Sequence, residues 1–261
     1  MEYVIIIPVA FGAALLTFFS GFGLGTILMP VFAIFFPVEI AIALTAIVHL
    51  LNNLFKASLI WRNINWKVVL WFALPAAVAA FGGAMLLGRL AGQTEILTYE
   101  TGGHTMRITV LKLVIAVLLV FFAIMEIHKR LEQIRLKRKF LPLGGLLSGF
   151  FGGLSGHQGA LRSMFLLKAG LSKEGFIATG IMAAIVIDIS RLSVYGTSFF
   201  AQHFRTVGDD STFLLVAASL AAFTGSYIGR KVLRKITFRG VQLTVGILIL
   251  VLALLMAGGI I

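Results

Sequence analysis

The stretch that most restricts what this chain can become is Gly149–Arg162, G-F-F-G-G-L-S-G-H-Q-G-A-L-R, set inside an apolar segment that runs from Phe140 to Leu171. A helix broken by glycines in apolar surroundings leaves backbone N–H and C=O groups to be satisfied without water. His157, Gln158 and Arg162 place polar and charged side chains at the same depth. Such a break persists where it lines a cavity or binds something. A second interruption, Ser20-Gly21-Phe22-Gly23-Leu24-Gly25, occupies the matching place near the N-terminus. Two matched interruptions in two halves point to a transporter binding site between them.

Composition fixes the surroundings. With 59% apolar and only 12% charged residues, the chain is not a soluble domain. Several apolar runs exceed the roughly 18–20 residues that cross a hydrocarbon core of about 30 Å. The first run lacks a basic leading region and stays apolar to Phe36, so it reads as part of the body of the protein and not as a cleaved signal. There is no cysteine, which excludes disulfides and thiolate metal sites. The net charge of +12 is carried by residues between apolar runs, as expected of loops held at an anionic leaflet and not of a nucleic-acid binder.

Apolar segments occupy 3–36, 39–60, 67–90, 108–127, 140–170, 174–196, 212–233 and 240–260. Eight single crossings would distribute Lys and Arg almost evenly between the two sides, against the usual cytoplasmic bias. Letting both glycine-broken segments enter and return on one side changes the count. Sixteen Lys and Arg then face the cytoplasm, and only Arg89, Arg107, Lys112 and Arg205 face outward. The expected fold is therefore an all-α integral membrane protein of the plasma (inner) membrane, with both termini outside. It comprises two inverted repeats, each a re-entrant segment followed by three transmembrane helices. Residues 1–127 form the first repeat, 128–139 a basic cytoplasmic linker, and 140–261 the second repeat. Gly25 and Thr45 match Gly159 and Thr179 at an offset of 134, and Asn53-x-x-Lys56 matches Asp188-x-x-Arg191 at 135. Residues 95–109 read as an outer hairpin, 197–211 as a polar outer loop, and 230–239 as a tight inner turn. Trp61 and Trp66 fit an interfacial belt.

The chemistry follows from the breaks. A helix N-terminus carries unpaired N–H groups and partial positive charge, so half-helices starting near Thr26 and Gly159 are candidate anion cradles. Gly21, Gly23 and Gly25 in the first half, and Gly152, Gly153, Gly156 and Gly159 in the second, let backbone approach a small ligand. Arg162, one turn past the second break, could neutralise an anion; His157 and Gln158 could donate to it. Thr45, His49, Asn52, Asn53 and Lys56 share one face of the next span, and His49 and Asn52 join the candidate substrate contacts. His49 and Asp188 are the candidates for coupling to an ion, proton or sodium. Lys56, near the end of its span, is expected to snorkel to the interface. No cofactor or metal site is indicated, and the sequence assigns no oligomeric state.

A rival reading comes from Gly153-Leu154-Ser155-Gly156, a string of the kind intramembrane serine proteases carry. It needs a base within reach of Ser155. His203 falls in the expected outer loop, His157 is two residues away, and His49 belongs to the other half. The other rival is a non-transporting assembly partner.

The residues S-G-F-G-L-G-T-I-L-M-P-V at 20–31, A-I-A-L-T-A at 41–46 and S-G-F-F-G-G-L-S-G-H-Q-G-A-L-R at 148–162 resemble the sulfite exporter TauE/SafE permeases. The likeness extends through the layout of nearly the whole chain. The first stretch lacks a third consecutive glycine. The second has Gly156-His157-Gln158-Gly159 and Met164 in place of a glycine run and its proline. The resemblance implies secondary transport of a small anion, sulfite or an organosulfonate.

Overall fold

Two short helices that stop inside the molecule organise the rest. The computed structural model describes residues 2–18, 23–92, 95–101, 103–128, 136–197, 200–232 and 238–261. In chain order, α1 (Glu2–Thr17) and α2 (Leu24–Ala33) make the first broken segment, followed by α3 (Val38–Ile60) and α4 (Trp66–Leu90). Strands β1 (Glu95–Thr101) and β2 (His104–Thr109) lead into α5 (Val110–Ile127). Helices α6 (Leu141–Ser155) and α7 (Gly159–Leu166) make the second broken segment, and α8 (Lys173–Thr197), α9 (Phe200–Val232) and α10 (Phe238–Ala257) complete the chain.

The breaks fall where glycine permits a left-handed backbone. Gly23, with φ at 110°, precedes α2. Gly156, with φ at 81°, ends α6. Any side chain at either position would be strained. Ser20, Gly21 and Phe22 of the first break lie outside the described residues. At 10 and 8 residues, α2 and α7 are only about 15 and 12 Å long, too short to cross a bilayer. Four segments are long and apolar enough to do so among the described residues: Val38–Asn63, Trp66–Leu90, Lys173–Thr197 and Thr212–Lys231. Among the described residues side-chain caps start three helices: Asn65 accepts from the Val68 amide at 3.1 Å, Thr109 from the Lys112 amide at 3.2 Å, and Ser172 from the Gly175 amide at 3.0 Å.

The helices pack in pairs, α4 on α6, α1 on α9, and α5 on α10, with α3 against α8 at the centre. Glycine makes the first two pairs intimate. A Cβ on Gly145, Gly149 or Gly153 would lie 2.1 Å from the carbonyl oxygen of Phe72, Ala76 or Ala80 respectively. Gly153 is therefore a helix-packing residue, which corrects its reading as a ligand contact. On α9, a Cβ on Gly225 would meet the Phe11 carbonyl at 2.2 Å, and one on Gly229 the Leu15 carbonyl at 2.6 Å.

The polarity of the molecule is inverted relative to a water-soluble one. Leu70, Trp71, Leu74, Val78, Val117 and Leu254 are exposed, while Lys56, Arg162, Asp188 and Arg191 are buried. That distribution is stable only where the surroundings are hydrocarbon. Trp61 and Trp66 are exposed beside the short turn between α3 and α4. The expected hairpin forms, in antiparallel register from Glu95 opposite Thr109 to Thr101 opposite His104. It is docked and not a loose connector, since the Tyr99 hydroxyl donates to the Gly258 carbonyl just past α10. The expected outer loop at 197–211 needs correction, because α9 already begins at Phe200. Polar residues there obscured the helix in hydropathy while leaving its backbone bonds available. The linker at 129–135 and the turn at 233–237 lie outside the described residues.

Candidate functional site

The two breaks meet. A Cβ added at Gly25, in the first turn of α2, would sit 3.7 Å from His49 Cδ2, 3.7 Å from Thr45 Cγ2 and 3.9 Å from the Gly156 carbonyl oxygen. Glycine thus leaves a methyl-sized gap between the start of α2, the polar face of α3 and the end of α6. Thr26 follows in the same turn and is buried, as is Gly159 at the head of α7.

Asp188 on α8 is the hub of the polar network and is fully buried, at 0% exposure. Its Oδ2 lies 2.6 Å from His49 Nδ1 on α3. Its Oδ1 accepts from Gln158 Nε2 at 3.2 Å, and from Arg191 Nε and Nη2 at 3.0 and 2.8 Å. A carboxylate so close to Nδ1 requires the proton on that nitrogen, or a doubly protonated ring. In the singly protonated ring the Asn53 amide, 3.1 Å from Nδ1, can donate only to Nε2, at 3.4 Å. The chain of contacts continues outward, with Arg162 Nη1 donating to Gln158 Oε1 at 3.2 Å.

Arg191 also donates through Nη1 to the Gly152 carbonyl at 3.3 Å. The Tyr195 hydroxyl, one turn further along α8, donates to the Gly153 carbonyl. Ser148 donates to the Gln158 carbonyl at 2.8 Å. The Tyr195 hydroxyl thus serves a carbonyl that continuing α6 would have served, while Arg191 and Ser148 are second donors to the Gly152 and Gln158 carbonyls, which already accept from the Gly156 and Arg162 amides. His157 Nδ1 lies 2.9 Å from the Ser155 carbonyl, its ring stacks on Phe122 at 5.6 Å, and its buried Nε2 has no partner among the described residues. The Ser155 hydroxyl donates to the Phe151 carbonyl at 3.0 Å. No imidazole is hydrogen-bonded to that hydroxyl among the described residues, and the side chain of His203 lies outside them.

Of the residues singled out from the sequence, Gly25, His49, Gly156, Gln158, Arg162 and Asp188 converge on one centre. Gly23 sets the start of α2 behind it. Asn52 turns away from the centre: its Oδ1 accepts from Ser226 on α9 at 2.8 Å, and its Nδ2 is buried without a partner among the described residues. Asn53, Arg191 and Tyr195 belong to the network without having been singled out as site residues. Spacings of four, from His49 to Asn53 and from Arg191 to Tyr195, were the available signal. Lys56 overturns its expectation. It does not snorkel but is buried at 4% exposure, its ammonium 5.7 Å from the Phe18 ring centroid. Among the described residues the buried charged side chains are thus Lys56, Arg162 and Arg191 against Asp188 alone, with His49 titratable beside them.

An apolar exterior, several membrane-crossing helices and a cationic interior built on two broken segments define an all-α, multi-pass membrane protein. The chain matches the sulfite exporter TauE/SafE family over residues 6–256 and belongs to that family, which makes it a membrane transporter. No curated protein and no solved structure matches it significantly.

Proposed function

We propose that the protein is a secondary transporter of a small inorganic or organic anion, sulfite or an organosulfonate, bound where the two breaks meet. One observation carries the reading: among the described residues, three cations are buried against a single carboxylate. Burying an uncompensated charge costs several kcal/mol, so an interior with excess positive charge is best stabilised by a bound anion. The start of α7 adds backbone N–H groups beside Gln158 and Arg162. Gly25, Thr26, His49, Gly156, Gln158, Gly159 and Arg162 are the proposed contacts, with His157 offering its Nε2 from the side. The His49–Asp188 contact spans the two halves and is the proposed point of coupling to a proton. The exchange of partners between the halves, α1 on α9 and α6 on α4, is what two inverted repeats of 1–127 and 140–261 would produce. Both termini then lie outside the plasma membrane, and the two broken segments are re-entrant.

The test is binding of sulfite, thiosulfate, sulfate, sulfoacetate and taurine to the purified protein and to Arg162→Gln. Loss of one charge-assisted contact is expected to weaken anion binding by about 30- to 1,000-fold. Arg162→Lys should recover part of it, because an ammonium lacks the guanidinium fork. Unchanged affinity in a variant that melts normally would remove Arg162 from the site, and no binding of any anion by the unaltered protein would sink the reading.

A further inference from the structure

The first turns of α4 and α6 stand side by side at one membrane boundary. Gly145 of α6 lies against Phe72 and Gly153 against Ala80, so the two helices run in the same direction. Val68 and Val69 share a core cluster with Leu141, and Ile64 and Leu136 pack on it, which sets 64–69 beside 136–141. Trp66, exposed at the start of α4, marks the interfacial level. Just inside that level is an almost wholly apolar slot of about 350 Å³, lined by Leu70, Trp71, Leu74 and Pro75 of α4 and by Pro142 of α6. Leu70, Trp71 and Leu74 are exposed, so the slot opens outward and is separate from the polar centre around Asp188.

Three cations stand at the boundary end of the slot. Lys67 precedes Trp71 by one turn, and Arg138 and Lys139 precede Pro142 by four and three residues. All three are exposed, and none is paired with a carboxylate among the described residues. The Lys139 ammonium lies 5.1 Å from the Phe140 ring centroid.

An exposed apolar helix face in a membrane meets lipid as a matter of course. What distinguishes this one is a concave slot for a hydrocarbon chain that ends in three cations at headgroup height. The lining rejects a polar solute, since it offers almost no polar atoms and its prolines have no backbone N–H. An acyl chain gains little by leaving the bilayer for the slot, because the lipid tails are as apolar as its walls. Selection therefore falls to the headgroup. Each Lys or Arg near the surface favours an anionic headgroup by a factor of about five. A second copy of the chain suits the slot less well. A two-fold contact sets a patch against itself, which would bring the three cations of one copy towards those of its neighbour.

We propose that the slot is a binding site for an anionic phospholipid. One acyl chain lies along Leu70, Trp71 and Leu74, and the net-negative headgroup is held by Lys67, Arg138 and Lys139.

Trp71 lines the slot, and Trp61 and Trp66 are the only other tryptophans in the chain, so Trp61→Phe/Trp66→Phe leaves a single reporter. This protein is reconstituted in vesicles of phosphatidylcholine and phosphatidylglycerol, with brominated acyl chains on one lipid or the other at equal bromine content. Bromine quenches tryptophan on contact. Brominated phosphatidylglycerol should quench Trp71 as though enriched at the slot by about tenfold or more. High ionic strength should cut that enrichment to less than about threefold, because the cations are exposed and screened by salt. Lys67→Gln/Arg138→Gln/Lys139→Gln should do the same at low salt. A sole tryptophan placed by Val117→Trp on the exposed face of α5, with Trp71→Phe added, should report enrichment below about twofold. Equal quenching of Trp71 by the two lipids overturns the proposal, as does a preference that survives both salt and the triple variant. An equal preference at position 117 would make it a property of the whole basic protein, and the proposal fails. If neither lipid quenches Trp71, a second copy covers the face and the slot is no lipid site.

Discussion

Helices α3 and α8 face each other at the centre and carry comparable rows of polar residues, yet they use them differently. On α8 the charges are closed on themselves: Asp188 pairs with Arg191, and Arg191 and Tyr195 grip the carbonyls at the broken end of α6. On α3 the row Thr45, His49, Asn53, Lys56 contains no carboxylate, leans on Asp188 of the other helix, and ends in a buried ammonium. The lesson is that burial alone does not say whether a charge is neutralised within the fold. Arg191 at 1% exposure and Lys56 at 4% are buried alike. What differs is whether the protein itself supplies the counter-charge.

The hardest blow to that comparison would come from Arg191. Arg191→Gln leaves Asp188 with one cationic partner fewer and takes one of two donors from the Gly152 carbonyl, so it should cost about 3–5 kcal/mol and lower the melting temperature even without ligand. Melting like the parent would mean that α8 is not the structural member of the pair. A smaller and more selective effect is expected at His49. His49→Gln keeps a donor near Asp188 but removes the titrating ring, so uptake into vesicles should lose its dependence on a proton gradient while equilibrium anion affinity changes by less than about tenfold. Retained gradient dependence would move coupling to another residue. The smallest effect belongs to Ser155, whose hydroxyl donates to the Phe151 carbonyl within α6 and accepts a long contact from the His157 amide at 3.5 Å. Ser155→Ala should shift stability by about 1 kcal/mol or less and leave transport intact. A fluorophosphonate that labels the parent stoichiometrically, and not the alanine variant, would instead revive the serine-enzyme reading.

Much of the fold was legible because apolar length and glycine placement act locally. The two interruptions, the short half-helices and the hairpin all emerge from such signals. Residues 200–211 were misread because hydropathy measures partition into lipid, whereas a helix requires only backbone hydrogen bonds; polar residues can extend a span as α9. The site was legible in part. Gly156, Gln158 and Arg162 stand in one short stretch and announce themselves, but the partnership of His49 with Asp188 crosses 139 residues and no local spacing encodes it. Lys56 was misplaced for a related reason. A lysine near the end of a span has two outlets, the interface or the interior, and the interior one here lies against the face of Phe18, which only the tertiary fold brings near. Gly153 shows the opposite error, since glycine for a ligand and glycine for a neighbouring carbonyl look identical in sequence.

The glycine seam between α4 and α6 has a mechanical meaning. Gly145, Gly149 and Gly153 each seat one carbonyl of Phe72, Ala76 or Ala80, and the positions beside them in the sequence, Leu146, Phe150 and Leu154, carry bulky side chains. A slip that brings these forward would drive one of them into a carbonyl, so the joint resists slip in that direction, while Gly144, Ser148 and Gly152 stand on the other side of the three glycines. The α1–α9 joint, seated at Gly225 and Gly229, has the same character. Both seams join one half of the chain to the other, and α3 and α8 meet between them, where the polar contacts around Asp188 add a third tie across the same divide.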